Sequence, residues 1–184
     1  MNDYRHMSLK TSKFISFILR HKPSAAGIQL DSQGWANVDE LLTALSNHTY
    51  PTTHEELEAI VSTDDKHRYS FSDDGLRIRA NQGHSIPVDL GLQEVQPPGE
   101  LFHGTASRTV ADINKTGLLP MKRQHVHLSL DIATANKVGS RHGEPVVFSV
   151  NAQQMYADGH KFYCSENGVW LTDKVPVKYL TKKC

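Results

Sequence analysis

The chain has 184 residues, with 20 Lys and Arg balanced by 20 Asp and Glu. This suits one ordinary domain or two small ones packed together, and argues against a protein that coats nucleic acid nonspecifically, because such binding needs a basic face. Hydrophobic residues make up 38% and charged residues 22%, which predicts a folded, soluble chain and excludes a disordered one. No apolar run approaches the roughly 20 residues of a membrane helix, and the opening MNDYRHMSLK lacks the apolar core of a signal peptide, so a cytoplasmic protein is expected.

Charge is uneven along the chain. Residues 1–96 carry 9 Lys and Arg against 13 Asp and Glu, whereas residues 97–184 carry 11 against 7. Contact with nucleic acid should therefore be local, through a few placed cations. Two cysteines, Cys164 and Cys184, form neither a disulfide framework nor a metal-binding spacing, and read as ordinary thiols.

In chain order, residues 9–21 predict a helix, with Leu9, Phe14, Phe17 and Ile18 near one face and Pro23 ending the run. Asn37 precedes Val38-Asp39-Glu40-Leu41-Leu42 and places Glu40 at a capping-box position; Thr53-His54-Glu55-Glu56 repeats that signal before Leu57 and Ile60. Residues 68–71 and 76–79 predict two strands around the turn Asp73-Asp74-Gly75. Helices followed by a hairpin suggest a winged-helix-like module. Pro97-Pro98-Gly99 then stops regular structure, so the expected division is 1–95 and 96–184. The second half predicts strands at 101–103, 125–129, 145–150, 161–164 and 169–172, with helices at 107–115 and 131–138. Gly117 and Gly139 stand where helix stops belong. Periodicity gives an α+β fold.

Several residues could carry chemistry. Arg20-His21 ends an apolar helix. Cations there complement the helix dipole, but a planar guanidinium also matches phosphate oxygens bidentately. Arg68 follows Asp64-Asp65, and a surface ion pair with one of them is its plain reading. Arg123 lies in the basic loop Met121-Lys122-Arg123-Gln124-His125, where a solvated charge is the ordinary expectation. Gln82-Gly83-His84-Ser85 reads as a turn whose glycine would let a ligand reach the main chain. His103-Gly104-Thr105 is expected at the end of a strand before a helix, a place that could present N–H groups and a hydroxyl to a dinucleotide. There is no G-x-G-x-x-G, so a Rossmann site is not indicated. His125-Val126-His127 puts two imidazoles on one side of a strand. With no third ligand at useful spacing, no metal site is expected.

Together these stretches resemble the NAD-dependent RNA 2'-phosphotransferase family. The resemblance starts at Leu19-Arg20-His21-Lys22-Pro23 and Gly34-Trp35. It runs through Lys66-His67-Arg68-Tyr69 and Ile78-Arg79-Ala80-Asn81-Gln82-Gly83-His84-Ser85. It continues through Leu101-Phe102-His103-Gly104-Thr105 and the segment from Met121 to Ser129, and ends with Val169-Trp170-Leu171-Thr172-Asp173. The order and spacing of these pieces cover nearly the whole chain.

The resemblance implies an N-terminal winged-helix RNA-binding lobe and a C-terminal lobe of the ADP-ribosyltransferase type. It implies a catalytic set falling on Arg20, His21, Arg68 and Arg123, with NAD consumed as co-substrate and an RNA bearing a 2'-phosphate as partner. His103, Gly104 and Thr105 are the first candidates for NAD contacts, followed by His127, Leu128 and Ser129. Arg141 and His142 are candidates for the pyrophosphate or adenosine side, against the alternative of an exposed helix end. No catalytic glutamate is evident, Glu166 included. His67, Tyr69 and Val177 depart from the family pattern, which has glutamine, phenylalanine and proline there. A monomer without metal or membrane attachment is expected. Two rivals remain: an ADP-ribosyltransferase acting on protein or nucleic acid phosphate ends, which stops after the first transfer, and a non-enzymatic winged-helix regulator. The latter would need a basic recognition helix, which the acidic first half does not favour.

Overall fold

The computed structural model describes residues 2–183, with side chains from residue 9 onward; Cys184 lies outside the described residues. The chain is a mixed α+β protein that divides into two compact units, Met1–Gly91 and Leu92–Cys184. Among the described residues no helix is long and apolar enough to cross a membrane, and no group of three or more His, Cys, Asp or Glu is placed to hold a metal ion.

The first unit opens with helix α1, Asn2–Arg20. Its buried stripe is Thr11, Ile15, Ile18 and Leu19, spaced i, i+4, i+7 and i+8 as one face of a 3.6-residue helix requires. Leu9 and Phe17, expected on that face, are exposed instead, 59% and 42%. They fall off the stripe because each step along a helix turns by about 100°. A 3₁₀ turn, Pro23–Ala26, follows and closes on Gly27. Strand β1, Ala36–Asn37, leads into α2, Val38–Asn47. The Asn37 side chain accepts from the Glu40 N–H at 3.0 Å, so the N-cap forms as expected. At α3, His54–Ser62, the capping box is complete. There Thr53 N–H donates to the Glu56 carboxylate at 3.0 Å and Glu56 N–H donates to Thr53 Oγ1 at 3.2 Å, a cap worth about 1 kcal/mol.

The hairpin follows, with β2 at Tyr69–Phe71 and β3 at Arg77–Ala80. The three strands pair antiparallel in the order β1-β3-β2. Ile78 and Ala80 face the core with Ile15, Ile18, Leu41, Leu45 and Leu57. Arg77 and Arg79 alternate to the other face, where their guanidinium carbons sit 5.5 and 4.5 Å from the Trp35 ring centre.

The second unit contains two three-stranded antiparallel sheets. In the first, β4 (Glu100–Ala106) pairs with β6 (Pro145–Asn151), which pairs with β9 (Leu180–Lys182). In the second, β8 (Trp170–Thr172) lies between β5 (Val126–Leu128) and β7 (Tyr163–Cys164). Reciprocal main-chain bonds between Phe102 and Ser129, at 2.9 and 2.8 Å, link the two sheets. Helices α4 (Val110–Thr116), α5 (Ile132–Gly139) and α6 (Ala152–Ala157) complete the unit. Leu101, Leu128, Phe148, Met155 and Phe162 form its main core. Strand β1, helix α6 and strand β9 carry no pattern that the sequence made visible. Two of the three have too few residues for any periodicity.

One expectation needs correction. His103-Gly104-Thr105 is not a strand-to-helix turn. It lies inside β4, with Gly104 opposite Val147 of β6. Side chains alternate along the strand, so His103 and Thr105 share a face while Gly104 turns to the other.

Candidate active site

At the C-terminal end of α1, four segments of the first unit meet. The helix delivers Arg20 and His21. The Arg20 Nη2 donates to the Arg68 main-chain carbonyl at 3.5 Å, which brings the start of the hairpin against the helix end. Arg68 itself is tethered. Its main-chain N–H donates to Asp64 Oδ2 at 2.6 Å, and its guanidinium donates to Asp64 Oδ1. The Asp64 side chain is only 7% exposed, against 32% for Arg68. Of the two carboxylates considered from the sequence, Asp64 is the partner. A pair with one half buried holds its geometry better than an exposed one.

The fourth segment is the turn after β3. Asn81 closes it onto the hairpin: its N–H donates to the Arg68 carbonyl at 2.8 Å, and its side-chain Nδ2 donates to the His67 carbonyl at 2.8 Å. Gly83 has φ +89°, and a Cβ there would stand 3.8 Å from the Arg20 side chain. His84 is buried, 1% exposed, and neither ring nitrogen has a hydrogen-bond partner. Burial first, then the nearby charges of Arg20, His21 and Arg79, push its pKa down to about 4, so it is neutral at pH 7. Ser85 reaches back to the helix. Its N–H donates to the Arg20 carbonyl at 2.9 Å, and its Oγ shares a 2.9 Å hydrogen bond with His21 Nδ1. Asp64 was visible in the sequence only as an ordinary pairing partner, and Ser85 only as part of a turn. Their contacts depend on the hairpin and helix packing together.

In the second unit the candidate residues have separate settings. Arg123 is exposed on the turn ahead of β5, its N–H donating to the Pro120 carbonyl at 3.0 Å. His103 Nδ1 lies 3.0 Å from the His127 carbonyl. A carbonyl can only accept, so Nδ1 carries the proton and, in the neutral ring, Nε2 is an acceptor. Burial outweighs that hydrogen bond and lowers the His103 pKa, with Arg123 adding to the effect. The neutral form therefore prevails at pH 7. The Thr109 hydroxyl donates to the Ala106 carbonyl at 2.8 Å. In the 2.6 Å contact between Thr105 and Thr109, Thr105 must then be the donor, which leaves its oxygen available as an acceptor. Leu128 is 1% exposed and belongs to the core, so its side chain offers nothing to a ligand. His125 sits 3.9 Å from the Asp173 carboxylate and edge-on to Tyr163. Arg141 and His142 are exposed just beyond the end of α5. Cys164 is half-buried, and burial raises its pKa.

Two arginines and a histidine collected at one helix end, one arginine anchored by a largely buried carboxylate, equip an α+β protein to grip an oxyanion such as phosphate. Comparison with known proteins agrees with that class. The model of the RNA 2'-phosphotransferase, Tpt1 / KptA family matches residues 6–174, and the chain belongs to that family. It is 55% identical over 174 residues to a probable RNA 2'-phosphotransferase of Nostoc punctiforme, covering 95% of this chain and 96% of that protein. A probable RNA 2'-phosphotransferase of Agrobacterium fabrum is 55% identical over 175 residues, with 95% and 94% covered. Another, from Burkholderia pseudomallei, is 46% identical over 180 residues, with 98% of each chain covered.

Proposed function

We propose that this protein removes an internal 2'-phosphate from RNA by transferring it to NAD. On this reading the first unit is a winged-helix-like RNA lobe and the second an ADP-ribosyltransferase-like lobe. The observation that carries it is the meeting of Arg20, His21 and Arg68 at the end of α1, linked through the Arg68 carbonyl and Asp64. Arg123 is the fourth member of the set that the family resemblance implies.

The chemistry demands such groups. A terminal phosphate carries roughly −1.5 to −2 charge at neutral pH, and arginines hold it without losing their own charge. In the first step a 2'-phosphate oxygen attacks the anomeric carbon of the nicotinamide ribose and nicotinamide leaves, giving RNA-phospho-ADP-ribose. In the second, the ribose 2''-hydroxyl attacks the bridging phosphorus. The RNA departs with a free 2'-hydroxyl, and ADP-ribose 1'',2''-cyclic phosphate forms. Negative charge builds on oxygens around phosphorus in that step. Losing one preorganised donor to such charge costs about 100- to 1000-fold in rate. His21 is assigned as a phosphate ligand and proton donor to the departing RNA oxygen.

The second unit suits the dinucleotide. His103 Nε2 and Thr105 Oγ1 are both acceptors on one face of β4, and a ribose presents hydroxyl donors. His127, Ser129 and Arg141 are the further candidates for this role. Gly104 supports it indirectly, by seating β4 against α5.

The test is a short RNA with one internal 2'-phosphate, incubated with and without NAD. Phosphate transfer that requires NAD and yields the cyclic phosphate is expected. NAD-independent release would overturn the mechanism, and a product that stops at RNA-phospho-ADP-ribose would favour a simple ADP-ribosyltransferase. Arg68→Ala and Arg123→Ala should accumulate the RNA-phospho-ADP-ribose species.

A further inference from the structure

We propose that Ser85 is the positioning residue for the His21 imidazole. The inference rests on the reading that His21 meets the RNA phosphate. Two contacts of one residue carry it. The last carbonyls of a helix have no partner within the helix, and Ser85 supplies one to Arg20 through its main-chain N–H at 2.9 Å. With its backbone fixed on the helix end, its hydroxyl falls 2.9 Å from Nδ1 of the next residue, His21. The ring is therefore held by a group whose own position is set by the helix that carries the ring.

The rest of the turn serves the same geometry. Gly83, with φ +89°, takes the left-handed conformation that lets the chain double back over Arg20. One helical turn before His21, the Phe17 ring lies 6.4 Å from the imidazole and tilted by 45°. Hydrogen bond and ring contact together restrict how the imidazole can rotate.

The choice of serine has a chemical consequence. Nδ1 is committed to Ser85, which makes Nε2 the nitrogen for the phosphate. A hydroxyl both donates and accepts. Towards a neutral ring with its proton on Nε2, the form that can donate to a phosphate oxygen, Ser85 donates its own proton to Nδ1. Towards an imidazolium, Ser85 turns and accepts from the Nδ1 proton. When the imidazolium passes its Nε2 proton to the RNA 2'-oxygen, the O–P bond breaks with its electron pair on that oxygen. The ring is left neutral with Nδ1 still donating to Ser85. The contact persists through the transfer, which an alanine at position 85 could not provide.

The experiment uses the full-length protein with Ser85→Ala and Ser85→Thr. It combines NAD-dependent turnover of the 2'-phosphorylated RNA with ¹⁵N spectra of the imidazoles, His21 being assigned by its loss in His21→Asn. In the wild type at pH 8, the Nε2–H tautomer of His21 should predominate. Ser85→Ala should unfold within a few degrees of the wild type, since the main-chain bond to Arg20 remains, and should keep its KM for NAD within about twofold. Its kcat should fall about tenfold, the size expected for one lost hydrogen bond, and the tautomer populations of His21 should change. Ser85→Thr, retaining the hydroxyl, should recover the wild-type tautomer populations and most of kcat. Unchanged tautomer populations in Ser85→Ala, or a wild-type kcat in that variant, would overturn the proposal. If the wild type shows no NAD-dependent transfer while the tautomer still responds to Ser85→Ala, positioning stands and the reaction assigned above is what fails.

Discussion

Gly104 of β4 lies directly against the main chain of α5 at Ala135: a Cβ added to it would stand 1.6 Å from the Ala135 carbonyl oxygen and 2.5 Å from its carbon. Both obstacles are main-chain atoms, so no rotamer change relieves them. Phe102, Ala135 and Val147 form the small apolar cluster at this junction. The glycine between His103 and Thr105 thus has a packing duty that stands apart from any contact with a dinucleotide. Gly104→Ala should force α5 off the sheet and destabilise the second unit by about 3 kcal/mol or more, seen as a lower urea midpoint or as insoluble protein. A variant as stable as the wild type that had lost only NAD affinity would show that the backbone yields and that the glycine serves the ligand instead.

Asp64 should matter to turnover although it would never touch substrate. Its two oxygens accept from the main chain and from the guanidinium of Arg68. Asp64→Asn replaces one acceptor with an N–H₂ group that faces a donor. On the proposed reaction we expect a fall in kcat of about tenfold, little change in the KM for NAD, and a stability loss of about 1–3 kcal/mol. Steady-state kinetics and urea unfolding on the same preparation decide the matter. Lost stability with an intact kcat would reduce Asp64 to a structural tether.

The buried His84 predicts a pH dependence of folding. Its folded-state pKa, about 4, lies below the ordinary histidine value of 6.5. Above pH 6.5 the ring is neutral in folded and unfolded chains alike. As pH falls from 6.5 towards 4, only the unfolded chain takes up the proton, so stability declines, by about 3 kcal/mol at the lower limit. Arg20, His21 and Arg79 are the charged or titratable groups that oppose protonation in the fold. Since neither ring nitrogen makes a hydrogen bond, His84→Leu should fold at pH 7 and show a flatter acid limb than the wild type. His103 and His125, whose pKa values burial also lowers, would supply the remaining slope. Parallel pH profiles of unfolding free energy for the two proteins would rule this out.

How much of this could be read beforehand differs from residue to residue. The N-cap at Asn37, the capping box at Thr53 and the turn at Asp73-Asp74-Gly75 were legible because each is a local arrangement whose partners lie within a few residues. The stripe on α1 was misread at Leu9 and Phe17 because apolar character alone does not say which side of a helix meets the core. Ser85 and His21 are 64 residues apart, and Arg20 and Arg68 are 48 apart. Nothing in either local pattern announces such a meeting. Likewise the strand carrying His103-Gly104-Thr105 runs on to Ala106, since pairing with β6 extends it beyond the point where its own residues signal a turn.

Tyr69 tests whether the hairpin needs a hydroxyl or only a ring. The side chain is 3% exposed, and its hydroxyl donates to the Ser12 carbonyl at 2.6 Å. Burial raises its pKa, so it stays protonated and keeps donating at any pH near neutrality. The ring fixes β2 onto α1, and the residue before it, Arg68, thereby places its carbonyl where Arg20 can reach. The hydroxyl adds one hydrogen bond, worth about 1 kcal/mol, to a position that aromatic burial already secures. Tyr69→Phe should therefore lower the melting temperature by about 2–4 °C and leave turnover within about twofold of the wild type. Tyr69→Ala, by contrast, removes the ring, should cost about 3–5 kcal/mol, and should depress kcat by loosening Arg68 over Arg20. Melting curves and turnover measured side by side separate the two effects. A tenfold loss of kcat in Tyr69→Phe at an unchanged melting temperature would mean that the hydroxyl takes part in the site itself.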